Sequence, residues 1–430
     1  MKRITTIARK GFLVCLLVMT LVFSTVPVAA DSLQGLTYIK SNDKRFYYTL
    51  ENGEATFKGL AKDCGENIEI PSHIDGYPVT KIGSSAFYMY ESITEVTIPN
   101  TVTTIEWAAF EQCSVEKVVI PDSVTVIEAS AFLNCAQLTQ LTLSKSLTSI
   151  ERMTFNGCNL TNIELPESLT TIKERAFSYC SLNQITIPKN VTTIEDSVFF
   201  GCSNLKEIHL SKNLTHLGKN VFFDCTNLAS ITVDSENSNF CSVDGVLLNK
   251  DKTALIQYPQ GKTNPTYAIP DTVTSIGEKA FYYCKNLTKV TIGKGVTSID
   301  SFAFGNCPKL LHLFIPSTVT ELKERAIEIR KYSTHPATLY GEVGSEAERY
   351  ATESGLTFVD IAKVTLGNPN GDQQIDAKDA LMVLKIAVGK WIPFDRQHTA
   401  CDVIVDGLID AKDALEILKH SVGKPSLLDQ

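Results

Sequence analysis

Two runs of Asp and Asn near the C terminus have the residue types and the spacing that a divalent cation needs. The segment Ile375–Leu381 recurs residue for residue as Ile409–Leu415, 34 positions later. Carboxylate and amide oxygens at alternate positions of such a loop can surround one hard cation such as Ca²⁺. The first loop offers Asn368, Asn370, Asp372, the carbonyl of Gln374, Asp376 and Asp379. The second offers Asp402, Asp406, the carbonyl of Leu408, Asp410 and Asp413.

The two loops are unequal. Position 3 of the second loop is Ile404, which has no ligand atom, and position 6 of the first is Gln373, where the sharp turn favours glycine. Asn368 also removes a charge, so the first loop offers three carboxylates and the second four. We expect two calcium sites of different affinity. The alternative is a pair of helices that binds no metal.

The duplicated module, residues 364–430, resembles a type I dockerin: a small all-α, calcium-binding module that docks onto the cohesin module of a scaffold protein, as in cellulosomes. The resemblance implies that docking uses loop positions 10 and 11 and the helix beyond them. Those positions are here Ala377, Lys378, Leu384, Lys385, Ala411, Lys412, Leu418 and Lys419. Because the two sets are identical, we expect a cohesin to bind either repeat after half a turn of the module. The lysines suit an acidic partner surface.

No sequence motif of an active site is present. G-x-S-x-G, H-E-x-x-H, C-x-x-C and a glycine-rich phosphate loop are all absent, and the seven His are scattered. With a net charge of −8 and no Lys/Arg run, the chain lacks the electrostatic footprint of a nucleic-acid-binding protein. A glycosidase's carboxylate pair has no sequence signature. The prediction that the chain is not an enzyme therefore rests on a second argument. The segments described in this section account for nearly all of the mature chain and leave no room for a catalytic domain.

The first 30 residues predict export. Four basic residues precede an apolar run, Gly11–Phe23, and Val28-Ala29-Ala30 supplies small residues before a cleavage point at Asp31. The run is short for a membrane span. We therefore expect a cleaved signal peptide and a secreted, extracellular protein; an uncleaved anchor is the alternative.

A period of 22 or 23 residues organises most of the remaining chain. Phe-x-x-Cys recurs as Phe110/Cys113, Phe132/Cys135, Phe155/Cys158, Phe177/Cys180, Phe199/Cys202, Phe222/Cys225, Phe281/Cys284 and Phe304/Cys307. The consensus reads L-x-x-I-x-I-P-x-x-V-T-x-I-x-x-x-A-F-x-x-C, and about ten units follow it. The alternation predicts a short strand with one face inward, which Pro ends before Ala-Phe packs a return turn. A single unit cannot bury its apolar side, so we predict a mostly β solenoid of stacked coils.

These repeats, about residues 60–360, resemble the leucine-rich repeats of the BspA-like family of bacterial surface proteins. We divide the chain into a signal peptide (1–30), a capping hairpin turning at Asn52-Gly53 (31–58), a leucine-rich-repeat solenoid (59–363) and the dockerin-like module (364–430). The period breaks at 234–268, where we expect an inserted hairpin that pairs Asp244–Leu248 with Leu255–Tyr258. A helix and a final strand should form a C-terminal cap, 338–363.

Two columns of the solenoid offer chemistry. The cysteines could pair from rung to rung, but parallel side chains about 4.8 Å apart fit a disulfide poorly, so we expect buried free thiols. The outward position of each strand forms a candidate ligand face: Thr97, Val119, Thr142, Glu164, Thr186, His209, Thr232, Thr291 and Phe314. A merely solvated β surface is the alternative. Trp107 should point outward, which is weak evidence for sugar stacking.

Together these features favour a secreted, non-catalytic binding protein that a cohesin-bearing scaffold tethers, in a setting of polysaccharide catabolism. Its solenoid would recognise a protein or a glycan. The first alternative is a surface adhesin for host or neighbouring cells that uses the dockerin-like module only as an anchor. The second is an enzyme or enzyme inhibitor. We expect no nucleic-acid partner and no membrane span.

Overall fold

The computed structural model describes residues 38–62, 64–310, 312–328, 338–360, 374–387, 401, 409 and 411–429. The predicted signal peptide therefore lies outside the described residues, as does most of the first calcium loop. No helix among the described residues is long and apolar enough to cross a membrane.

The described chain is mostly short strands with three α-helices. The first part contains β1 (Ile39–Lys40), β2 (Phe46–Glu51), β3 (Glu54–Leu60), β4 (Asn67–Glu69), β5 (His73–Ile74) and β6 (Tyr77–Ile82). The next contains β7 (Glu95–Thr97), β8 (Thr104–Ile105), β9 (Lys117–Val119), β10 (Val126–Ile127), β11 (Gln140–Thr142), β12 (Ser149–Ile150), β13 (Thr171–Ile172), β14 (Gln184–Thr186), β15 (Thr193–Ile194), β16 (Glu207–Leu210), β17 (His216–Leu217) and β18 (Ser230–Val233). The third contains β19 (Phe240–Val243), β20 (Val246–Asn249), β21 (Ala254–Gln257), β22 (Thr266–Ala268), β23 (Ser275–Ile276), β24 (Lys289–Thr291), β25 (Ser298–Ile299), β26 (His312–Phe314), β27 (Glu321–Leu322), β28 (Thr338–Gly341) and β29 (Thr357–Asp360). The helices are α1 (Glu346–Ser354), α2 (Ala377–Ala387) and α3 (Ala411–Ser421), followed by a 3₁₀ turn, Leu427–Asp429.

Most coils contribute one strand to each of two parallel ribbons. The first ribbon comes from L-x-x-I-x-I, as where β7 pairs with β9 and β9 with β11. The second comes from V-T-x-I, as where β13 pairs with β12 and β15. Strands this short are not stable alone, so their stability comes from the stacking of each coil on its neighbours. This confirms the predicted mostly β solenoid.

A threonine column ties neighbouring coils together along the second ribbon. In each of three successive coils, the Thr N–H donates to the carbonyl of the preceding Thr, at 2.9 Å for both Thr192 to Thr170 and Thr215 to Thr192. The hydroxyl of Thr215 donates to the same carbonyl of Thr192 at 3.1 Å. The Thr in the consensus therefore serves the coil-to-coil hydrogen bonding as well as strand propensity.

The Ala-Phe turn forms a third ladder, which we call the turn edge; each coil is named below by the Phe of this turn. Residues two before and two after the Phe have positive φ, for example Ala108 (53°) and Gln112 (57°). Their N–H groups and that of Phe110 donate to three carbonyls of the next coil. The rings stack inside: from Phe87 to Phe222, successive centroids lie 4.7 to 6.1 Å apart.

The segment that interrupts the repeats, β19 to β21, runs between two parts of the hydrophobic core. β19 and β20 form a hairpin that turns at Asp244-Gly245, and β20 pairs antiparallel with β21. The expected pairing of β20 with β21 is present, but Asp244 and Gly245 are not part of it: they form the earlier turn, with φ of 50° and 75°. Along β20, Leu247 packs into the N-terminal core, whereas Val246 and Leu248 pack into the C-terminal core. The strand therefore separates two cores.

Both ends of the solenoid are covered. At the N-terminal end, β2 and β3 form an antiparallel hairpin that turns at Asn52 and Gly53, and β3 pairs parallel with β6. At the C-terminal end, β28 and β29 extend the first ribbon. The hydroxyl of Tyr350 in α1 accepts the N–H of Ile327 at 3.1 Å, whereas the equivalent N–H of Phe304 donates to a carbonyl of the following coil.

The C-terminal helices pack on each other through equivalent residues. Ala380 and Val383 of α2 are buried with Ala414 and Ile417 of α3, and Cys401 completes this small core. The sequence duplication is thus matched by a duplicated packing pattern.

Candidate functional site

The cysteine column hydrogen-bonds from coil to coil. In six coils the thiol donates to the carbonyl of the Phe in the preceding coil, with Sγ···O distances of 2.9 to 3.1 Å: Cys135, Cys158, Cys180, Cys202, Cys225 and Cys307. The Phe carbonyl also accepts the N–H of the Cys in its own coil, as Phe155 does from Cys158 at 3.2 Å. The thiol hydrogen therefore gives a buried carbonyl its second partner.

The described cysteines are all free thiols, which confirms that expectation. Burial raises the pKa of the Cys113 and Cys202 thiols to about 12. Since the thiolate is the reactive and metal-binding form, these groups are poor nucleophiles and poor ligands at neutral pH. The column is a structural element of the core.

The outward column is in register over much of the first ribbon. Thr97 is paired with Val119 and Val119 with Thr142, and Thr186, His209 and Thr232 form a second run. These six side chains are exposed, as is Thr291. His209 Nδ1 lies 3.1 Å from the hydroxyl of Thr232, so these two polar side chains contact each other on the exposed face of the ribbon. Whether the column binds a ligand stays a prediction.

Two members of the column differ from the expected geometry. Glu164 is exposed but does not lie in a strand. The coil between those of β11 and β14 has no strand at the position where its two neighbours have one. Phe314 is only half-buried rather than fully outward. Its ring stacks on Tyr340, with centroids 4.6 Å apart, because β28 of the cap continues the ribbon past β26. Phe314 therefore packs against the cap and is removed from the open face.

Trp107 is 52% exposed, as expected. Its backbone N–H donates to the carboxylate of Glu128 in the next coil at 2.7 Å. Glu106 does the same for Ser84 at 2.9 Å. These carboxylates satisfy turn-edge N–H groups, so they are structural and need no catalytic interpretation.

Part of the predicted calcium machinery falls on described residues. Asn368, Asn370, Asp372, Asp402, Asp406, Leu408 and Asp410 lie outside them, and so do Gln373 and Ile404. Asp379 and Asp413 are 0% and 1% exposed at equivalent positions of α2 and α3. Oδ2 of Asp379 accepts the N–H of Asp376 at 2.8 Å, and Oδ1 of Asp376 accepts the N–H of Lys378 at 2.7 Å. Gln374 is exposed.

Two buried carboxylates are the part of the predicted donor set that the described residues show. Burying a carboxylate is costly unless it is paired with charge or hydrogen bonds, and the module buries two at matching positions. The same hydrogen bonds also cap α2, so helix capping is the competing role for Asp376 and Asp379. Among the described residues, no group of three or more metal-ligating side chains comes together; the calcium sites stay a prediction.

The predicted docking residues lie largely on the surface. Ala377, Lys378, Ala411 and Lys412 are exposed, whereas Leu384, Leu418 and Lys419 are half-buried; the side chain of Lys385 lies outside the described set. Two exposed leucines, absent from the predicted docking set, occupy equivalent positions: Leu381 is 52% and Leu415 is 51% exposed. The signal that could have found them was the shared Ala-Leu at the end of the duplicated heptapeptide.

Comparison with known proteins agrees with this architecture. The family described as BspA type leucine rich repeat region matches residues 53–152, 126–243 and 262–335, in six copies. The unmatched stretch between the last two ranges contains β20 and β21, the strands that interrupt the coils. The chain belongs to this BspA-type leucine-rich-repeat family.

Solved structures show the same fold. A leucine rich cell surface protein from Faecalibacterium prausnitzii is 28% identical, with 74% of this chain and 97% of that chain covered and a TM-score of 0.57. The pneumococcal vaccine antigen PcpA is 21% identical, with 75% and 98% covered and a TM-score of 0.51. No curated protein matches the sequence.

Proposed function

We propose that this chain is a secreted, non-catalytic binding protein. Its C-terminal module tethers it, in a calcium-dependent way, to a cohesin module of a scaffold such as that of a cellulosome, and its solenoid presents the recognition surface for a protein or a glycan. The observation that carries the tethering is the duplicated module: equivalent residues are buried in its core, equivalent carboxylates are buried at its helix starts, and equivalent leucines are exposed.

Calcium would be held by Asp376, Asp379 and Asp413 together with the predicted ligands outside the described residues. The ion would neutralise the carboxylates that each loop brings together. Asp379 and Asp413 would join their helices to the loops, so that metal binding and folding of the module are coupled.

The recognition role rests on the form of the solenoid. Stacked coils give an open ribbon whose outward residues vary in polarity from rung to rung, as at Val119, Thr142 and His209, while the inward residues stay aliphatic. Repeat proteins commonly bind partners over such extended surfaces. The family and the related cell surface protein support a binding protein at or outside the cell surface.

Calorimetry with the full chain tests the tethering. Titration with a type I cohesin should show binding in calcium and none in a chelator. Circular dichroism should show loss of helix on chelation with the β signal of the solenoid unchanged. Binding to cohesin that is indifferent to chelation would contradict the proposal.

A surface adhesin is the second candidate, and the likeness to the leucine rich cell surface protein from Faecalibacterium prausnitzii favours it. Arrays of glycans and of host and bacterial surface proteins, probed with the full chain, separate the two. Selective binding to polysaccharides or to scaffold-borne partners supports the first; binding to host or neighbouring-cell proteins supports the second. A hydrolase screen covers the enzymatic alternative.

A further inference from the structure

One coil breaks the turn-edge ladder. In eight coils the N–H groups at the Phe and two residues either side donate to the next coil: Phe87, Phe110, Phe132, Phe155, Phe177, Phe199, Phe281 and Phe304. In the Phe199 coil, for example, Ser197, Phe199 and Gly201 donate at 2.9, 3.0 and 2.8 Å.

The Phe222 coil has the same backbone but lacks these bonds. Asn220 and Asp224 have φ of 55° and 62°, like their counterparts in other coils. Among the described residues, the N–H groups of Asn220, Phe222 and Asp224 make no hydrogen bond. Phe222 is nevertheless only 3% exposed.

Unpartnered polar side chains occur at the same place. The coil that follows Phe222 puts Tyr258 where a Phe belongs, and its ring stacks on Phe281 at 5.2 Å. The hydroxyls of Tyr258 and Tyr267 and Oε1 of Gln260 are buried without a protein partner. These are three of the four such atoms in the described structure. A buried polar group without a partner favours local opening, because water then satisfies it.

The hydrophobic core is divided at this boundary as well. The stack of Phe rings that reaches Phe222 is not continued by a ring contact to Tyr258 among the described residues, and β20 separates the two cores. We call the boundary between the Phe222 coil and the coils of Tyr258 and Phe281 that follow it the joint.

Within the described part of the chain, only side chains close the turn edge across the joint. Nζ of Lys279 donates to Oδ1 of Asn220 at 3.0 Å and lies 5.4 Å from the centroid of Phe223. Phe223 packs on Tyr282 with centroids 4.8 Å apart. The backbone crosses elsewhere, where Gly261 N–H donates to the carbonyl of Leu228 at 2.7 Å and Ile231 N–H to that of Gly245 at 2.9 Å.

We propose that the joint is a hinge. Its turn edge opens and hydrates while the strand side stays bonded, and this divides the solenoid into two cooperatively folded stacks that change their relative angle about the strand side. The hinge is independent of what the solenoid or the C-terminal module binds, since it follows from the broken ladder, the buried unpartnered groups and the divided core.

Native-state hydrogen exchange on the full chain, read at single-residue resolution, tests this. The amides of Asn220, Phe222 and Asp224 should exchange at least about 100-fold faster than those of Ser197, Phe199 and Gly201, because they exchange by local opening. Equal protection in the two coils would overturn the hinge, since it would mean that the joint is rigid and its N–H groups are held by bound water.

A matched pair of variants tests the clamp. Lys279→Met removes the bond to Asn220 and should speed exchange at residues 220–224 at least about threefold further, with residues 197–201 unchanged. Lys173→Met removes the 2.6 Å ion pair with Glu151 inside an unbroken run of coils and should leave residues 220–224 unchanged. If the two variants had the same effect at the joint, the clamp would not be specific and the proposal would fail.

Discussion

The thiol of Cys180 donates a hydrogen bond to the carbonyl oxygen of Phe155, at a Sγ···O distance of 3.1 Å, and so bridges two successive coils. That carbonyl also accepts the N–H of Cys158 at 3.2 Å. Both acceptor sites of a fully buried oxygen are thereby used. Cysteine suits the position because it is small and apolar like alanine, yet still carries a donor.

Removing one thiol from the column should destabilise the solenoid. Cys180→Ala leaves a small cavity and costs the Phe155 carbonyl one partner, so we expect a loss of about 1–3 kcal/mol in the free energy of unfolding. Urea denaturation measures it. Cys64→Ala, at a half-buried site outside the column, is the control and should cost less than about 0.5 kcal/mol. Equal losses would mean that the bridging bond contributes nothing.

Mass spectrometry of the non-reduced protein should find no linked pair such as Cys158–Cys180.

Alkaline pH should unfold the solenoid through the same column. Burial raises the pKa of Cys202 from 9.0 to about 12. The raised pKa in the folded state means that the neutral thiol contributes fully below pH 9, and that this contribution is lost as the pH rises from about 9 towards 12. Each such thiol adds a slope of about 1.4 kcal/mol per pH unit in that window. Cys202→Ala should make the dependence of unfolding free energy on pH shallower by that amount; an unchanged slope would contradict the assignment.

The ring column should dominate the stability of the coils. Phe177 is fully buried between Phe155 and Phe199, at centroid distances of 5.5 and 6.0 Å. Phe177→Ala should therefore cost about 3–5 kcal/mol, measured by chemical denaturation. Thr186→Ala, on the exposed face of the next repeat, should change stability by no more than about 0.5 kcal/mol. A loss below about 1 kcal/mol for Phe177→Ala would show that the column does not carry the core.

Period and residue type were sufficient to predict the solenoid, its buried rings and its free thiols. They could not predict that Cys180 bonds to Phe155, because the acceptor is a backbone atom one coil away. Phe314 was misplaced because its neighbour Tyr340 comes from the cap, where the period has already ended. Asp244 and Gly245 were predicted to lie in the first strand of the inserted hairpin, whereas they form the turn between β19 and β20, because β20 pairs with β19 as well as with β21. In the first two cases the deciding contact is with a neighbouring coil or with the cap.

The buried Asp379 has two candidate roles that one substitution separates. Asp379→Asn keeps an oxygen that can accept the N–H of Asp376, so the cap of α2 should persist, but it removes a charge from the calcium loop. We expect calcium affinity to fall about tenfold, by calorimetry, with the helix content in chelator unchanged. Asp413→Asn should do the same for the second loop. Glu416→Gln, on α3 outside the loop, is the control. Loss of helix without any change in calcium binding would make Asp379 a cap only.

Docking should be symmetric with respect to the two repeats. Ala377-Lys378 and Ala411-Lys412 are exposed at equivalent positions, and Leu381 and Leu415 are exposed beside them to nearly the same extent, 52% and 51%. A cohesin that recognises one face should therefore recognise the other after half a turn of the module. Replacing either of these two Ala-Lys pairs by Asp-Asp should change the dissociation constant for cohesin by no more than about threefold, because the intact face still binds.

Replacing both Ala-Lys pairs should cost several kcal/mol, because no orientation then avoids burying unpaired carboxylates against an acidic partner. Calorimetry of the two single variants and the double variant in saturating calcium decides the matter. The second loop has Ile404 where a ligand belongs, so its face is the one at risk of being poorly ordered. If changing Ala377-Lys378 abolished binding and changing Ala411-Lys412 had no effect, the module would dock in one orientation, and the identical sequence of the second repeat would reflect its packing against α2 alone.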